Sequence, residues 1–446
     1  MQKVRQIIIT AVAASLCVGM TTACGSGGGT SDKNADGKVY YLNKKPEHAK
    51  YWEKLAKQFQ KETGIETKIT TSPNYDETLR SEIAKSDAPT MFQVDGPPNL
   101  EQWKKYGTDL SDTQGYKELT DSKLALKADD KPVALPFAID AYGLIYNKAI
   151  LNKYFKSSWA SVKSLSKLNN FEALKTVADE VQEHKDDLGV KGAFTSAGMD
   201  DTSGYRFNYQ LPSGPLFYEY KDNNWDMNTT VPAVKGTYVP NMKKIWDLYI
   251  HDSTVPVSAI SGKSMSDATS EFALGEALFL QSGTWSYTDI SGQSVEDSDI
   301  GVLPIYLDVK GEEDQGLNTV TSNYWVVNSK APKANQKATK KFIDWLITSD
   351  AARTSISQDM GFLTPFKTFS GKKYAPKNPI YTEYTKLKKE GKYDVYGVCA
   401  VTPSHQWQKD LGNAMLNYAQ GTGDWDAVQK VFSDNWAKEY NLVYKQ

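Results

Sequence analysis

The segment KVYYLNKKPEHAKYWEKLAKQFQKETGIETKITT, residues 38–71, decides the fold class. Lys38–Leu42 predicts a short strand, and the apolar residues within 52–59 recur at the spacing of an amphipathic helix. Gly64 ends this helix, and Glu66–Thr71 alternates polar and apolar side chains as a second strand does. A strand, a helix and a strand in so short a stretch predict a βα unit with parallel strands.

The same order of elements continues to residue 98. Tyr75–Lys85 has the spacing of a helix, and Met91–Val94 predicts a buried strand that Asp95–Pro98 closes. Alternating strands and helices predict an α/β fold with a mainly parallel sheet. In such sheets ligands bind beyond the carboxyl ends of the strands, so the loops after the first and third strands are candidate site segments.

The composition excludes several classes of protein. With 446 residues, 40% hydrophobic and 24% charged, the chain is long enough for two or three domains and too apolar for disorder. The mean hydropathy of −0.54 disfavours a polytopic membrane protein. The 52 basic residues are balanced by 54 acidic ones, so the chain has no net positive charge to attract nucleic acid. The aromatic fraction of 12% indicates either large cores or rings exposed for a ligand.

The first residues indicate where the protein works. Basic residues precede Ile7–Met20, an apolar run with the length of a signal-peptide core and too short to span a bilayer. Thr21–Cys24 then resembles the lipobox of bacterial lipoproteins, although Thr takes the place of the usual Leu. We therefore expect 1–23 to be a lipoprotein signal peptide, Cys24 to carry the lipid, and 24–37 to be a flexible linker. An ordinary secretory signal with an incidental cysteine is the alternative.

A lipid on Cys24 would hold the protein on the extracellular face of the cell membrane. After signal cleavage and lipidation, only Cys399 would carry a free thiol, so we expect no intrachain disulfide. The apolar neighbours of Cys399 favour a small core residue over a reactive thiol.

No motif for catalysis or for a metal stands out. The four histidines have none of the spacings of metal sites, and the chain lacks a nucleophile elbow and a phosphate-binding glycine loop. We expect no cofactor, no metal and no catalytic residue. Carboxylates are abundant, so a glycosidase pair stays open as a less favoured alternative.

Aromatic and planar polar residues are the remaining candidates for a site. Sugars need this mixture, because their C–H faces pack on flat rings and their hydroxyls need fixed donors and acceptors. A place in the core is the competing explanation for each ring. The candidates stand at predicted strand ends and loops: Asn43, Glu47, Tyr75, Asp95, Asn99, Asp140, Tyr142, Tyr205, Arg206, Trp285, Asn323, Tyr324, Trp325 and Trp407.

Five motifs give the chain its resemblance to a known family. The most specific combines LPF at 135–137, Asp140 and GLIYNK at 143–148. The others are Val39–Ile65, SDAPTM at 86–91, SGTW at 282–285, and Trp325–Lys330 with the helical pattern that follows to Leu346. Over residues 38–440 the chain resembles the extracellular solute-binding proteins of carbohydrate ABC importers, the maltose-binding-protein-like family 1.

The resemblance implies a periplasmic-binding-protein-like fold, in which two α/β lobes are joined by interlobe crossovers at the base of a ligand cleft. It implies a carboxylate contact from Asp140, a stacking ring at Trp285 and, at the start of a C-terminal helix, a second ring at Trp407. The implied domains are an N-lobe of 38–139 plus 320–367 and a C-lobe of 142–317 plus 370–446.

The function that this resemblance implies is that of a monomeric substrate-binding lipoprotein of an ABC importer. It would capture an oligosaccharide by lobe closure and deliver it to the permease subunits, without acting as an enzyme. Malto-oligosaccharides and α-galactosides such as raffinose are the first guesses for the sugar. A receptor for a non-sugar solute such as a peptide or polyamine, and a surface glycosidase, remain the alternatives.

Overall fold

The computed structural model describes residues 37–445, apart from the side chain of Ser322. The strands in these residues are β1 Lys38–Asn43, β2 Glu66–Thr71, β3 Met91–Val94, β4 Leu126–Ala128, β5 Lys131–Asn147, β6 Gly192–Phe194, β7 Ala277–Gly283, β8 Ile300–Leu303, β9 Gln315–Val327 and β10 Tyr393–Tyr396. They form one mixed sheet in the order β2-β1-β3-β9-β5-β7-β6, with β10 beside β9 and with β4 and β8 beside β5.

Helices cover both faces of this sheet and its ends. They are α1 Ala49–Thr63, α2 Tyr75–Glu82, α3 Pro97–Trp103, α4 Gln114–Lys117, α5 Lys148–Lys156, α6 Phe171–Glu183, α7 Lys185–Leu188, α8 Ser213–Asp222, α9 Val239–His251, α10 Met265–Ala273, α11 Tyr287–Ile290, α12 Lys333–Thr348, α13 Asp350–Thr354, α14 Pro379–Lys389, α15 His405–Ala419, α16 Trp425–Lys430 and α17 Trp436–Tyr444. None of the helices in residues 37–445 has the length and apolar character needed to cross a membrane.

The first three strands confirm the predicted βα units. Strand β1 pairs in parallel with both β2 and β3, and α1 and α2 form the two connections. Helix α1 ends at Gly64, whose φ of 74° is left-handed and therefore suits glycine. The loops after β1 and β3 consequently leave the sheet at the same edge.

Two long antiparallel strands, β5 and β9, run through both lobes of the molecule. Their pairing extends from Ala134 opposite Val326 to Tyr142 opposite Asn318, with register shifts on both sides of Ala138. At one end they pair with β3 and β4, which with β1 and β2 form the N-lobe sheet. At the other end they pair with β7, β8 and β10 of the C-lobe.

Each lobe is built around buried aromatic residues. In the N-lobe the Phe137 ring stacks on Trp325 at 4.6 Å between centroids, and Trp52 meets both rings edge-on. In the C-lobe the Trp407 ring lies 5.3 Å from that of Trp436. Because these five side chains are fully buried or nearly so, they stabilise the lobes by excluding water from large apolar surfaces.

The chain passes a third time between the two cores after residue 374. Phe366 and Tyr374 pack in the core that contains Trp52, whereas Ile380 packs in the core beside β7 and β8. At the base between them, the Ile139 amide donates to the Leu363 carbonyl at 2.7 Å.

Candidate ligand-binding cleft

A cavity of about 630 Å³ lies between loops of the N-lobe and loops of the C-lobe. The N-lobe side is formed at the carboxyl ends of β1 and β3, where α/β sheets bind ligands. Strands β5 and β9 supply Asp140, Val320 and Asn323 where they pass between the lobes. Most other lining residues come from the segments 44–47, 95–102, 201–210, 285–289 and 399–408.

Lys45 is a buried cation held between two carboxylates. Its Nζ lies 3.5 Å from Asp140 Oδ2 and 3.7 Å from Glu47 Oε1. Burial lowers the pKa of Lys45, but the attraction of Asp140 and Glu47 outweighs it and leaves the pKa raised. Burial raises the pKa of Glu47, against the opposing effect of Lys45. The ammonium of Lys45 therefore stays charged and fixes both carboxylates at the cavity wall.

Asp140 joins groups from both lobes through one carboxylate. Its Oδ2 accepts from Asn323 Nδ2 at 3.2 Å and from Lys45, and its Oδ1 accepts from the Thr284 hydroxyl at 3.3 Å. A carboxylate offers about four acceptor positions, so these three protein donors leave room for about one more. Asp140 thus chiefly holds Lys45, Asn323 and Thr284 in place at the base of the cavity.

A second cluster of charges lies at the carboxyl end of β3. Lys44 Nζ donates to Asp95 Oδ2 at 2.5 Å, and their attraction raises the Lys44 pKa although burial alone would lower it. His405, the first residue of α15 in the C-lobe, places Nε2 3.7 Å from Asp76 and 3.9 Å from Asp95. The His405 ring of the C-lobe therefore meets the carboxylates of the N-lobe at this rim.

An aromatic wall, Trp285 and Tyr205, lies on the C-lobe side. The Trp285 indole N–H donates to the Tyr205 hydroxyl at 2.9 Å, and the two ring planes are inclined at 60°. Gly283 makes room for this indole, because a Cβ there would lie 2.4 Å from the Trp285 ring and 2.6 Å from the Ala141 carbonyl oxygen. The wall therefore offers ring surface whose orientation is fixed by a hydrogen bond.

Five of the lining residues form an uncharged surface that we call the floor: Tyr209, Gln210, Val320, Cys399 and Ala400. The Cys399 thiol contacts the Tyr209 hydroxyl, and burial raises the pKa of Cys399 to about 11. The thiol is thus protonated at neutral pH, as expected of a small buried residue.

Seven of the sequence-based candidates line the cavity. They come from loops and strands of both lobes: Glu47, Asp95, Asn99, Asp140, Tyr205, Trp285 and Asn323. The structure thus brings together residues that are separated by up to 276 positions in the chain, from Glu47 to Asn323.

Three aromatic candidates belong to the cores instead. Trp325 packs against Trp52 and Phe137, and Tyr324, the preceding residue on β9, is buried on the opposite face of the strand. Trp407 is fully buried and donates its indole N–H to the Phe432 carbonyl. Burial in the cores removes these rings from the cavity wall, so the expectation that they contact a ligand is corrected.

Four further candidates support the cavity from outside its lining. The Asn43 amide donates to the Lys45 carbonyl oxygen at 2.9 Å and thereby braces the loop after β1. Tyr142 donates to the Gln210 carbonyl oxygen at 3.3 Å. The Tyr75 hydroxyl bonds to the backbone of Gln93, and Arg206 donates to the Ser196 carbonyl oxygen and the Ser203 hydroxyl. None of these four residues is in the cavity lining, and their hydrogen bonds to the backbone and to Ser203 give them a supporting position in this structure.

The sequence analysis missed several lining residues. Lys44 and Lys45 lie between the candidates Asn43 and Glu47, but lysine is not among the residue types that indicate a sugar site. Tyr209 follows the candidate Tyr205 by four positions, about one helical turn, and Asp289 follows Trp285 by the same spacing. The helical spacing was the signal that could have found these two, and Gln210 is the neighbour of Tyr209.

The arrangement of two lobes around a cleft of polar and aromatic residues defines a ligand-binding protein. Comparison with known proteins narrows this class. The family model described as "Bacterial extracellular solute-binding protein" matches residues 54–389, more than half of the chain. The chain therefore belongs to the bacterial extracellular solute-binding protein family, whose members bind solutes on the outer side of the cell.

Individual relatives are more distant. The "Multiple sugar-binding protein" of Streptococcus mutans is 22% identical over 403 residues, which cover 85% of this chain and 87% of that protein. The solved structure of RafE in complex with raffinose has a TM-score of 0.69 at 19% identity, covering 90% of this chain and 99% of RafE. The GacH receptor of Streptomyces glaucescens has a TM-score of 0.66 at 16% identity, covering 92% and 98% of the two chains. These structures share the two-lobe fold.

Proposed function

We propose that the protein is the substrate-binding component of a carbohydrate ABC importer, capturing an oligosaccharide and delivering it to the permease subunits. The observation that carries the proposal is the cavity in which the Trp285–Tyr205 wall stands beside the carboxylates of Glu47 and Asp140. Flat rings pack on the C–H faces of sugars, and carboxylates accept from sugar hydroxyls. The relative named a multiple sugar-binding protein supports the same substrate class.

The size of the cavity fits a short oligosaccharide. Its volume of about 630 Å³ falls within the range of about 300–1,000 Å³ typical of pockets for small molecules. A peptide carboxylate would need an unpaired cation in the cavity, and a polyamine would need unpaired carboxylates. Lys44 pairs with Asp95 and Lys45 with Asp140, so these four charges already neutralise one another. We therefore favour a neutral sugar over a peptide or polyamine.

The candidate residues in the cavity have distinct roles in this proposal. Trp285 and Tyr205 stack on a sugar ring, and Glu47 and Asp95 accept from hydroxyls at the N-lobe side. Asp140 keeps Lys45, Asn323 and the base of the cavity in place. The supporting observations are the hydrogen bonds and ion pairs that fix each group.

Ligand capture would proceed by closure of the lobes. We propose an N-lobe of 38–139 plus 320–367 and a C-lobe of 142–317 plus a last segment. This segment begins between Tyr374 and Ile380, because Tyr374 packs in the N-lobe core and Ile380 in the core beside β7 and β8. Because each lobe supplies only part of the lining, a ligand that contacts both favours the closed state over the open one. The permease would recognise this closed state.

The membrane attachment belongs to the proposal as well. The signal peptide 1–23, the lipidated Cys24 and most of the linker 24–37 lie outside the described residues. We propose that the lipid on Cys24 holds the protein, as a monomer, on the extracellular face of the membrane. Mass spectrometry of the mature N-terminus tests this, and an unmodified Cys24 would contradict it.

The test of the function is isothermal titration of residues 25–446 with raffinose, maltotriose and N,N′,N″-triacetylchitotriose, with chromatography of the recovered sugars. We expect saturable binding of at least one sugar, recovered intact. Shortened sugars would indicate a glycosidase instead. Binding of peptides or polyamines with no response to any of the sugars would indicate a receptor for another solute.

A further inference from the structure

The solvent side of helix α1 carries a stripe of lysines. They recur at intervals of four, three and four residues, which places them along one side of the helix: Lys50, Lys54, Lys57 and Lys61. All four are exposed, and none of their side chains has a hydrogen bond or an ion pair among the residues that the structure describes. The other side of α1, with Trp52, Leu55 and Phe59, packs into the N-lobe core.

Helix α12 carries a second stripe beside the first. Its exposed and equally unpaired lysines recur every four residues: Lys333, Lys337 and Lys341. Phe342 and Trp345 of α12 pack on Phe59 of α1, with ring centroids 5.0 and 5.5 Å away. The Trp345 indole N–H also donates to Glu62 Oε2 at 2.6 Å. Glu62 is the residue after Lys61, and Trp345 lies one turn beyond the last lysine of the α12 stripe. The two stripes therefore meet on one surface of the N-lobe.

These seven lysines form a surface that we call the basic face. Two exposed carboxylates of α1, Glu53 and Glu62, lie among them, so the face keeps an excess of five positive charges. Its edge toward α4 is neutralised, because Lys340 pairs with Asp112 at 2.6 Å. Asp344 also faces this edge, where its carboxylate accepts from a backbone amide of α4. The excess of positive charge thus belongs to the two stripes.

The basic face is an exception in an acidic chain. Without Lys3 and Arg5 of the proposed signal peptide, the formal net charge changes from −2 to −4. Elsewhere lysines are balanced locally, as on α14, where Lys388 pairs with Asp394 at 3.0 Å. Because charges are screened over about 8 Å at physiological ionic strength, a surface in contact with the stripes would feel their charge rather than the net charge of the chain.

The chain enters the N-lobe beside the start of α12. Gly37 lies so close to Ala334 that a Cβ at Gly37 would be 2.4 Å from the Ala334 carbonyl oxygen. The Lys38 amide donates to Asn335 Oδ1 at 3.0 Å. The first lysine of the α12 stripe directly precedes Ala334. Since Cys24 precedes Gly37 by 13 residues, a lipid on Cys24 would hold this end of the basic face within about 45 Å of the membrane.

We propose that the basic face contacts the anionic headgroups of the membrane that holds Cys24. Clusters of lysines beside a membrane anchor are attracted to anionic lipids, and a basic patch strengthens anchoring by a lipid. The short tether makes the contact intramolecular, so that a weak attraction is sufficient. None of the seven lysines lines the cavity, so the contact leaves the sugar site free. The inference goes beyond sugar capture and rests on the membrane attachment in the proposed function.

The test is co-sedimentation of residues 25–446, which lack the lipid, with two kinds of vesicle. One kind contains phosphatidylcholine alone, and in the other phosphatidylglycerol replaces a third of it. At low salt we expect partitioning to be at least about 10-fold stronger on the vesicles with phosphatidylglycerol. Added salt should remove most of this difference, because it screens exposed charges.

Two variants with the same net charge locate the contact. The test variant combines four substitutions in the basic face: Lys54→Gln, Lys57→Gln, Lys337→Gln and Lys341→Gln. The matched control changes four exposed and unpaired lysines outside it: Lys156→Gln, Lys310→Gln, Lys430→Gln and Lys438→Gln. The test variant should lose at least about 10-fold in partitioning, whereas the control should stay close to the wild type. Both should bind sugar as the wild type does, which checks that they are folded.

The outcomes separate the membrane contact from the proposed function. Equal partitioning of the wild type on both kinds of vesicle, or equal losses in the two variants, would overturn the contact and leave the receptor as proposed. Self-association of the wild type that the test variant loses would assign the basic face to a second copy of the chain instead. An unmodified Cys24 in the mature protein would overturn the contact together with the membrane attachment.

Discussion

At the scale of single residues, Trp285 is the side chain whose removal should weaken sugar binding most directly. Trp285→Ala should cost roughly 1–3 kcal/mol of binding free energy, because the ring surface that would cover the sugar is lost. Titration with the sugar that binds best checks this.

Tyr205→Phe is the matched control for Trp285→Ala, because it keeps a ring and removes only the hydroxyl that accepts from the indole. We expect it to weaken binding less than Trp285→Ala does. Unchanged affinity in Trp285→Ala would remove the aromatic wall from the site.

His48 should make the fold sensitive to acid. Burial, with a smaller contribution from Lys45, lowers the pKa of His48 to about 3, and neither ring nitrogen has a hydrogen-bond partner among the described residues. The unfolded chain binds a proton on this histidine below about pH 6.5 and the folded chain does not, so stability falls as the pH drops from about 6.5 toward 3.

His48→Leu removes this proton uptake from the unfolded state. Relative to the wild type, the free energy of unfolding of the variant should therefore rise by about 2 kcal/mol between pH 7 and pH 5. Urea unfolding at both pH values measures the difference. A constant offset between the two proteins would show that His48 titrates alike in both states.

At the scale of elements, the end of β7 should control the position of the aromatic wall. Gly283→Ala places a methyl group 2.4 Å from the Trp285 ring and 2.6 Å from the Ala141 carbonyl oxygen, so the ring or the strand must move. We expect a loss of about 1–3 kcal/mol in stability together with weaker sugar binding. Thermal unfolding and titration measure the two effects.

Gly262→Ala is the control for Gly283→Ala, since a Cβ at Gly262 meets no atom within 4 Å. It should change neither stability nor affinity appreciably. Equal effects of the two substitutions would contradict the steric argument at β7.

The secondary-structure elements differ in how well the sequence predicts them. Helix α1 and its two flanking strands were predictable, because periodicity and the Gly64 cap are local signals. Strand β5 was not predictable by periodicity, since nearly all of its 17 residues are buried and Pro136 interrupts the pattern. The resemblance, rather than the pattern, located the passage near Asp140 between the lobes.

The candidate site was harder to predict than the fold for a physical reason. A tryptophan suits a core and a sugar surface equally well, so Trp325 and Trp285 cannot be distinguished by residue type. Only the tertiary structure shows that Trp325 packs against Trp52 and that Trp285 lines the cavity. The role of Lys45 could not be predicted from the sequence, because it depends on an ion pair with Asp140, 95 positions away.

At the scale of the whole molecule, the sugar should draw the lobes together. The lining comes from both lobes, so the closed state makes contacts that the open state cannot. Small-angle scattering should show a smaller radius of gyration after addition of the best-binding sugar. Trp285→Ala at a sugar concentration that saturates only the wild type is the control, and a radius unchanged by bound sugar would defeat the closure mechanism.

Strands β5 and β9, shared by the two lobes, have a further consequence for melting. Two lobes with separate cores could melt as two calorimetric units, but the described residues fall within one compact unit. If either lobe lost its part of the sheet, the shared strands would expose unpaired edges in the other. A heated sample should therefore absorb heat in one cooperative peak, with equal calorimetric and van't Hoff enthalpies. For this receptor, heat tolerance would thus be a property of both lobes together and not of the weaker one.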